Sequence, residues 1–202
     1  MRRLIAFNNV SADGYFSAPD GNLNWVTHDP DIESMAAGPG QQDGNFTILF
    51  GRKTYEQFES FWPNVVSESP TSPDPHHAGR ESPEMRAIAV KINDAQKVVF
   101  SKSRKDVTWK NSRLLREIDR QEIEKLKQQQ GEDIMIFGSG SVASQLTKLR
   151  LIDEYQFVVN PILLGSGQLL IKDVPSLKLT LIDAKPHTSG NIFARYAPAD
   201  NA

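Results

Sequence analysis

Residues 133–142 read Asp-Ile-Met-Ile-Phe-Gly-Ser-Gly-Ser-Val, which is a short apolar run, a glycine turn and the start of a helical pattern. The run at residues 133–138 is almost continuously apolar, as expected of a strand that is covered on both faces. Val142, Leu146 and Leu149 then recur at helical spacing. The stretch predicts a buried strand, a tight turn and a helix, which is the repeating unit of a parallel sheet.

The same strand–helix alternation continues through most of the chain. Apolar runs rich in β-branched and aromatic residues occupy residues 3–10, 45–51, 97–101 and 155–161. Helical spacing is found in two intervening segments, residues 52–61 and 119–130. We therefore expect an α/β fold with a mostly parallel central sheet that is connected by right-handed crossovers.

Two regions depart from the alternation. Residues 177–182 and 191–196 read as two strands around a turn-rich segment, which predicts an antiparallel hairpin at one edge of the sheet. Residues 63–84 are rich in Pro and Ser, and we interpret them as a long surface loop inserted into a single domain that spans residues 1–202. A linker between two domains is the alternative interpretation.

The composition excludes several classes of function. Lys and Arg number 23 against 25 Asp and Glu, so the net charge of -2 provides no positive field for nucleic acid or an anionic membrane. The chain has no cysteine, which excludes thiolate nucleophiles and iron–sulfur clusters and suits a reducing, cytoplasmic location. Because no run of about twenty apolar residues occurs, we expect no membrane-spanning helix.

Three corners that follow predicted strands are suited to phosphate groups. The first is Gly51, which precedes a helix start with two cations and a hydroxyl. The second is the segment 138–142, whose glycines let the backbone approach a diphosphate. The third is residues 101–104, which carry two hydroxyls and two cations. Each corner alone also fits an ordinary helix start, a tight turn or a solvated loop. Three such corners along one sheet edge fit a dinucleotide, whose phosphates are spread over that distance.

Other nucleotide, hydrolytic and metal motifs are missing. Ala143 stands where a Rossmann fingerprint would have its third glycine, and no Lys-Ser or Lys-Thr pair follows, as a P-loop requires. The sequence 138–140 is too short for a nucleophile elbow. Three of the four histidines sit in loops rich in Pro, Ser or Gly, without ligands at helical spacing, so we expect no metal site.

Six short motifs occur in a fixed order between residues 3 and 196. They are Ser11-x-Asp13-Gly14, Gly51-Arg52-x-Thr54-Tyr55-Glu56, Phe100-Ser101, Gly138-Ser139-Gly140-Ser141, Leu151-Ile152-Asp153-Glu154-Tyr155 and Pro161-x-Leu163-Leu164-Gly165-x-Gly167. This ordered set resembles the dihydrofolate reductase-like family. The resemblance is to the branch that holds the reductase domain of the riboflavin-biosynthesis deaminase-reductase (the RibD C-terminal domain) and its free-standing bacterial relatives.

The resemblance implies a three-layer sandwich with antiparallel C-terminal edge strands and with NADPH laid across the strand ends. The residues that it assigns to the cofactor are Gly14, Gly51, Arg52, Lys53, Thr54, Ser101, Lys102, Gly138, Ser139, Gly140, Ser141 and Val142. Lys102 would lie near the adenosine 2′-phosphate. Asp13 would lie beside the nicotinamide and would be the catalytic residue; the proton would come from Asp13 or from water. Trp25, Leu163, Leu164 and Gly165 would contact the substrate. A plain turn at Asp13 and plain core packing at Leu163 remain the alternatives.

The function implied is an NADPH-dependent oxidoreductase that transfers hydride to a small planar or carbonyl-bearing substrate, either pterin-like or ribosylamino-pyrimidine-like. Folate itself is disfavoured, because neither Asp29, Asp31 nor Glu33 matches the carboxylate that fixes the pterin in dihydrofolate reductase. A non-catalytic module that binds a nucleotide or small ligand on the same fold is the alternative. The resemblance implies pairing through the sheet edge or the C-terminal strands, so we expect a homodimer with no nucleic-acid or membrane partner.

Overall fold

Ten strands and four helices make up the part of the chain that the computed structural model describes, residues 1–27, 29, 31–32, 46–66 and 83–199. The strands are β1 (Leu4–Ser11), β2 (Tyr15–Ser17), β3 (Thr47–Gly51), β4 (Gln96–Phe100), β5 (Ser112–Leu115), β6 (Ile134–Phe137), β7 (Glu154–Asn160), β8 (Gln168–Leu169), β9 (Leu179–Pro186) and β10 (Ile192–Pro198). The helices are α1 (Arg52–Val66), α2 (Pro83–Asp94), α3 (Arg120–Gln128) and α4 (Gly140–Lys148).

Eight of these strands form one sheet in the order β5-β4-β3-β6-β1-β7-β10-β9, and β2 pairs with β8 in a separate ribbon. Every pairing from β5 to β7 is parallel. The C-terminal strand β10 runs antiparallel to both β7 and β9. The expected α/β fold, mostly parallel with an antiparallel C-terminal edge, is therefore confirmed.

Alternate residues of the central strands fill two cores, one on each face of the sheet. Leu4 belongs to the core that contains Ile123 of α3 and Leu146 of α4. Ile5, the next residue, belongs to the core that contains Tyr55 of α1. Since side chains alternate across a strand, the sheet is covered on both faces and the molecule has three layers.

The predicted surface loop over residues 63–84 is wrong at both of its ends. Helix α1 continues through Pro63 to Val66, because a proline in the last turn removes only a single backbone hydrogen bond. Helix α2 begins at Pro83, where a missing N–H is tolerated at the first helical position. The rest of the predicted loop, residues 67–82, lies outside the described residues.

The C-terminal hairpin is confirmed and is longer than predicted, with all eight residues of β9 exposed at the sheet edge. The sequence did not predict β5, whose four residues Ser-Arg-Leu-Leu show neither an apolar run nor alternation. None of the helices in the described ranges has the length and apolar character needed to cross a membrane.

Candidate functional site

A cavity of about 1110 Å³ opens at the carboxyl ends of the central strands. Asn8 of β1, Gly51 of β3, Phe100 of β4 and Phe137 of β6 all contribute to its wall. These strands are parallel, so their carboxyl ends meet at one edge of the sheet. The cavity thus occupies the crevice in which open α/β sheets bind ligands.

The turn between β6 and α4 has an unusual cap. Gly138 and Ser139 both have left-handed backbone, with φ of 58° and 55°. The Ser139 carbonyl accepts hydrogen bonds from the N–H groups of Val142 at 2.8 Å and Ala143 at 3.0 Å. The Ser139 hydroxyl, which could cap the helix, instead accepts the N–H of Gly51 at 2.8 Å.

As a result, the first two N–H groups of α4 are open to a ligand. Within the described residues the N–H groups of Gly140 and Ser141 have no acceptor, and both residues line the cavity. Unpaired N–H groups and the positive end of the helix dipole together attract anions. The start of α4 is therefore suited to a phosphate group.

The start of α1 reaches the same place from the neighbouring strand. A Cβ atom on Gly51 would lie 3.5 Å from both the Ser139 and the Ser141 hydroxyl oxygens. A Cβ atom on Gly138 would lie 3.6 Å from Cγ2 of Thr54. The N-termini of α1 and α4 therefore lie close together, so that both helix dipoles favour negative charge at one rim of the cavity.

Three of the predicted cations lie on this rim. Arg52, Lys53 and Lys102 all line the cavity. Arg52 pairs with Glu56 one helical turn away, at 3.2 Å, and both side chains are exposed. Neither Lys53 nor Lys102 has an ion-pair partner among the residues that the structure describes. The two lysines are thus free to meet an anionic ligand.

Ser101 and Arg104 close the third corner, but only Ser101 lines the cavity. The Ser101 hydroxyl accepts the N–H of Arg104 at 3.0 Å. The Arg104 guanidinium lies 2.9 Å from the Glu59 carboxylate and stacks over the Tyr55 ring at 4.7 Å. Arg104 therefore ties the corner to α1 instead of facing a ligand.

The other half of the cavity is apolar and aromatic. Its wall holds the side chains of Phe7, Phe46, Phe58, Trp62, Met85, Ile88, Ile92 and Phe137. Phe58 and Phe137 stack with ring centroids 6.1 Å apart and an interplanar angle of 18°. The cavity thus joins a polar rim to an apolar chamber that can take a flat ring.

The model of one protein family, described as the RibD C-terminal domain, matches residues 2–193. The chain belongs to the RibD C-terminal domain family. The chain is also similar to protein YyaP of Bacillus subtilis strain 168. The two are 26% identical over 201 residues, which cover 96% of this chain and 94% of YyaP.

Solved structures show that the RibD C-terminal fold of this chain is shared with reductases. The diaminohydroxyphosphoribosylaminopyrimidine deaminase/5-amino-6-(5-phosphoribosylamino)uracil reductase of Thermotoga maritima matches 98% of this chain and 57% of its own, with 14% identity and a TM-score of 0.63. Dihydrofolate reductase of Enterococcus faecalis, complexed with NADP(H) and RAB-propyl, matches 98% and 97%, with 14% identity and a TM-score of 0.59. The fold is thus dihydrofolate reductase-like.

Asp13, the predicted catalytic residue, lies in a network of hydrogen bonds within its own loop. Its carboxylate accepts hydrogen bonds from the Ser11 hydroxyl at 2.6 Å and from the N–H groups of Leu164 at 3.1 Å and Gly165 at 2.7 Å. The bond from Ser11, together with those from the two N–H groups, holds the pKa of Asp13 below its ordinary value. Asp13 is exposed and lies outside the cavity wall, where it fixes a loop.

Several other predicted residues also lie outside the cavity wall. Gly14 is exposed in the turn after β1, and Val142 is buried in the core beneath α4. Leu163 is 75% exposed, so it is neither core nor cavity wall. The remaining predicted substrate residues, Trp25, Leu164 and Gly165, do not contact the cavity either. Ten of the twelve predicted cofactor residues therefore line the cavity, and the two that do not are Gly14 and Val142.

One cluster near the C-terminal hairpin has the composition of a metal site, although the sequence predicted none. Ligand atoms of Asp29, Asp31 and His187 lie within 4.8 Å of one another. The Asp29 carboxylate already accepts the Ser189 hydroxyl at 2.5 Å and the N–H groups of Asp31 and Ile32 at 3.0 and 3.3 Å. Its oxygens are therefore engaged in holding the hairpin against the start of a helical turn.

Sequence reasoning missed two parts of the cavity. The first is the wall from α2, for which the helical spacing of Met85, Ile88 and Ile92 was the available signal. The second comprises Asn8 and the segment around Ser17, which lines the cavity opposite the sheet. No local pattern distinguishes a ligand-facing Asn or Ser from one that is paired within the protein.

Proposed function

We propose that this protein is an NADPH-dependent reductase that transfers hydride to a small planar or carbonyl-bearing substrate. The observation that carries the proposal is the meeting of two helix N-termini at the cavity rim. The unpaired N–H groups of Gly140 and Ser141 lie beside the start of α1 in a dihydrofolate reductase-like fold. A diphosphate carries the negative charge that such a rim attracts.

NADPH fits the rim better than NADH does. Lys53 and Lys102 line it without ion-pair partners among the described residues, and a 2′-phosphate requires positive partners. The closeness of the two helix starts around Gly51 and Gly138 also supports a bound dinucleotide, because both helix dipoles then act on one diphosphate. We assign the diphosphate to the start of α4 and the 2′-phosphate to Lys102.

The bound nicotinamide would supply the hydride. The chain would orient the acceptor, with its flat ring against the stacked pair Phe58 and Phe137, and would exclude water from the apolar chamber. Asp13 is ionised and is engaged in its loop, so in this proposal water supplies the proton. The Thermotoga maritima protein is named a deaminase/5-amino-6-(5-phosphoribosylamino)uracil reductase, which supports ribosylamino-pyrimidine-like acceptors beside pterin-like ones.

Titration with NADPH, followed by nicotinamide fluorescence, tests the binding half of this proposal. We expect saturation at micromolar concentrations, and no binding at tens of micromolar would contradict the proposal. Oxidation of NADPH with a panel of pyrimidines, pterins, quinones and aldehydes tests the catalytic half. Tight binding without oxidation of NADPH by any acceptor would favour the alternative, a non-catalytic nucleotide-binding module.

We also propose that the protein forms a homodimer through β9. Among the described strands β9 is one of the two edges of the sheet, and its side chains Leu181 and Ile182 are 55% and 48% exposed. An exposed apolar edge strand is a template for pairing with another chain. Light scattering should give twice the 22.6 kDa mass of the chain, whereas a monomeric mass would refute this proposal.

A further inference from the structure

Two buried polar side chains in the cavity wall lack partners. Asn8 is 2% exposed and Ser17 is 3% exposed. The side-chain nitrogen and oxygen of Asn8 have no hydrogen-bond partner among the residues that the structure describes, and neither has the Ser17 hydroxyl. Both residues line the cavity. Buried polar groups are nearly always paired in folded proteins, so this pair requires an explanation.

The neighbouring asparagines show that the fold can satisfy such groups elsewhere. Asn9, the next residue of β1, accepts a hydrogen bond from the Asn160 amide at 3.2 Å. The Asn160 amide also donates to the Val158 carbonyl at 3.0 Å and accepts the N–H of Thr27 at 2.8 Å. The unpaired state is therefore particular to Asn8, on the opposite face of the same strand.

Asn8 lies beside the glycine turn that forms the polar rim. Phe7 and Phe137 are paired in the register of β1 and β6, so the next residues, Asn8 and Gly138, are neighbours at the carboxyl ends of these strands. Asn8 shares one cavity wall with the rim, where we place the cofactor phosphates, and with Phe7 and Phe137 of the apolar chamber. A ligand that extends from the rim into the chamber passes Asn8.

We infer that Asn8 and Ser17 bind an amide group of the ligand. A primary amide side chain offers an acceptor oxygen and two N–H donors, so its complement is another amide, and a serine hydroxyl can serve either partner. The inference rests on the proposed function, which supplies two ligands of this chemistry. One is the carboxamide of the nicotinamide, and the other is the cyclic amide of a pyrimidine or pterin acceptor.

Substitution of Asn8 by Leu separates ligand binding from stability. Leu has a similar branched shape and leaves no unpaired polar atom, so Asn8→Leu should melt at or above the wild-type temperature. The matched control is Asn93→Leu, since the Asn93 amide is equally buried but donates to the Trp62 and Ala89 carbonyls and accepts the Trp109 indole N–H at 2.8 Å. We expect Asn93→Leu to melt at a lower temperature.

Three probes then identify the group that Asn8 binds. They are NADPH, 2′,5′-ADP, which keeps the adenosine 2′- and 5′-phosphates but lacks the nicotinamide half, and uracil added to the NADPH complex. If Asn8 binds the carboxamide, Asn8→Leu should lower the affinity for NADPH about tenfold and leave that for 2′,5′-ADP unchanged. If it binds the cyclic amide, only the affinity for uracil should fall about tenfold.

Two results would overturn the inference. One is that Asn8→Leu binds both NADPH and uracil with unchanged affinity. The other is that its affinity for 2′,5′-ADP falls in parallel, or that it melts at a temperature as low as that of Asn93→Leu. If Asn8→Leu does not fold, Ser17→Ala makes the same test, with the same outcomes. A wild-type protein that binds no NADPH contradicts the proposed function first, and the inference with it.

Discussion

The two ends of the parallel strands differ in how completely their polar groups are paired. At the amino ends, Glu154 of β7 accepts hydrogen bonds from Arg3 at 3.0 Å and from Arg195 at 2.7 Å. Beside it, the Lys127 ammonium lies 2.7 Å from the Asp153 carboxylate. These charged groups are satisfied within the protein itself.

At the carboxyl ends the opposite holds. The N–H groups of Gly140 and Ser141, the ammonium groups of Lys53 and Lys102 and the amide of Asn8 have no hydrogen-bond or ion-pair partner among the described residues. Groups left unpaired beside a cavity stabilise the folded protein less than paired ones, but they are available to a ligand. The paired charges at the amino end therefore stabilise the fold, and the unpaired groups at the carboxyl end are where we propose that the ligand binds.

The largest effect should follow from placing a carboxylate at the carboxyl end. In Ser141→Asp the new charge lies in the first turn of α4, where it stabilises the helix but repels a diphosphate. We expect NADPH affinity to fall about 100-fold, or about 2.7 kcal/mol, with no loss of melting temperature. Fluorescence titration and thermal melting measure the two effects.

Gln121→Asp is the matched control for this variant. Gln121 holds the same second position in α3, whose N-terminus does not line the cavity. Its affinity for NADPH should equal that of the wild type. If Ser141→Asp binds NADPH as tightly as Gln121→Asp does, the diphosphate is not at the start of α4.

The reverse pattern is expected at the amino end. Burial raises the pKa of Glu154, but hydrogen bonds from Arg195 and Gln156 and the charges of Arg195 and Arg3 outweigh it, and the pKa lies below its ordinary value. In Glu154→Gln the two guanidinium groups lose their buried counterion. The free energy of unfolding should fall by about 2 kcal/mol, with NADPH affinity unchanged.

The pH dependence of this loss is fixed by the direction of the shift. Because the folded-state pKa of Glu154 is depressed, the stabilisation is complete above the ordinary value of 4.5 and is lost as the pH falls through the folded-state pKa. Urea unfolding of wild type and Glu154→Gln should therefore converge in acid. The control is Glu124→Gln, which removes an exposed partner of Arg120 and should lower the free energy of unfolding by less than about 0.5 kcal/mol at any pH. An equal loss of stability in both variants would refute the role of Glu154.

Lys102 distinguishes the two nicotinamide cofactors at the carboxyl end. Lys102→Ala removes a cation from the cavity rim without breaking an ion pair to any described residue. We expect affinity for NADPH to fall about tenfold and affinity for NADH to stay the same, because only NADPH carries the 2′-phosphate. Equal losses for both cofactors would refute the assignment of Lys102 to that phosphate.

The last effect, which appears only as a slope of stability against pH, concerns Lys97 at the amino end of β4. Its ammonium donates to the carbonyls of Asn93 and Ala95, both at 2.8 Å, and lies over the Trp109 ring. Burial, reinforced by the charge of Lys110, lowers the pKa of Lys97 to about 7.

Above that pH the unfolded chain retains a proton that the folded protein has lost, so stability rises with pH. The wild-type free energy of unfolding should increase by at most about 1 kcal/mol per pH unit between about pH 7 and pH 10. Lys97→Met should lack this increase, whereas the exposed Lys125→Met should keep it. Parallel curves for all three proteins in urea unfolding would contradict the shifted pKa.

The strands of the fold could be predicted from the sequence better than the hydrogen-bond and ion-pair partners of individual residues could. Continuous apolar runs predicted the five central strands, because strands covered on both faces have no polar side to hide the signal. Helix α2 was missed because Pro83 was interpreted as part of a loop, although the spacing of Met85, Ile88 and Ile92 fits a helix. Proline marks a helix start as well as a loop, and composition alone does not separate the two.

The site shows the same limit in its contacts. The glycine corners and the cations Lys53 and Lys102 could be predicted, because local sequence dictates helix starts at strand ends. The engagement of Arg104 with Glu59 and the unpaired state of Asn8 depend on side chains that are distant in sequence. Such pairings are a property of the assembled sheet and not of any short segment.

A crystal structure of the protein with NADPH tests the central claim most directly. The claim predicts diphosphate oxygens within hydrogen-bond distance of the N–H groups of Gly140 and Ser141, with the 2′-phosphate at Lys102. A dinucleotide bound away from the start of α4, with these N–H groups still open, would contradict it.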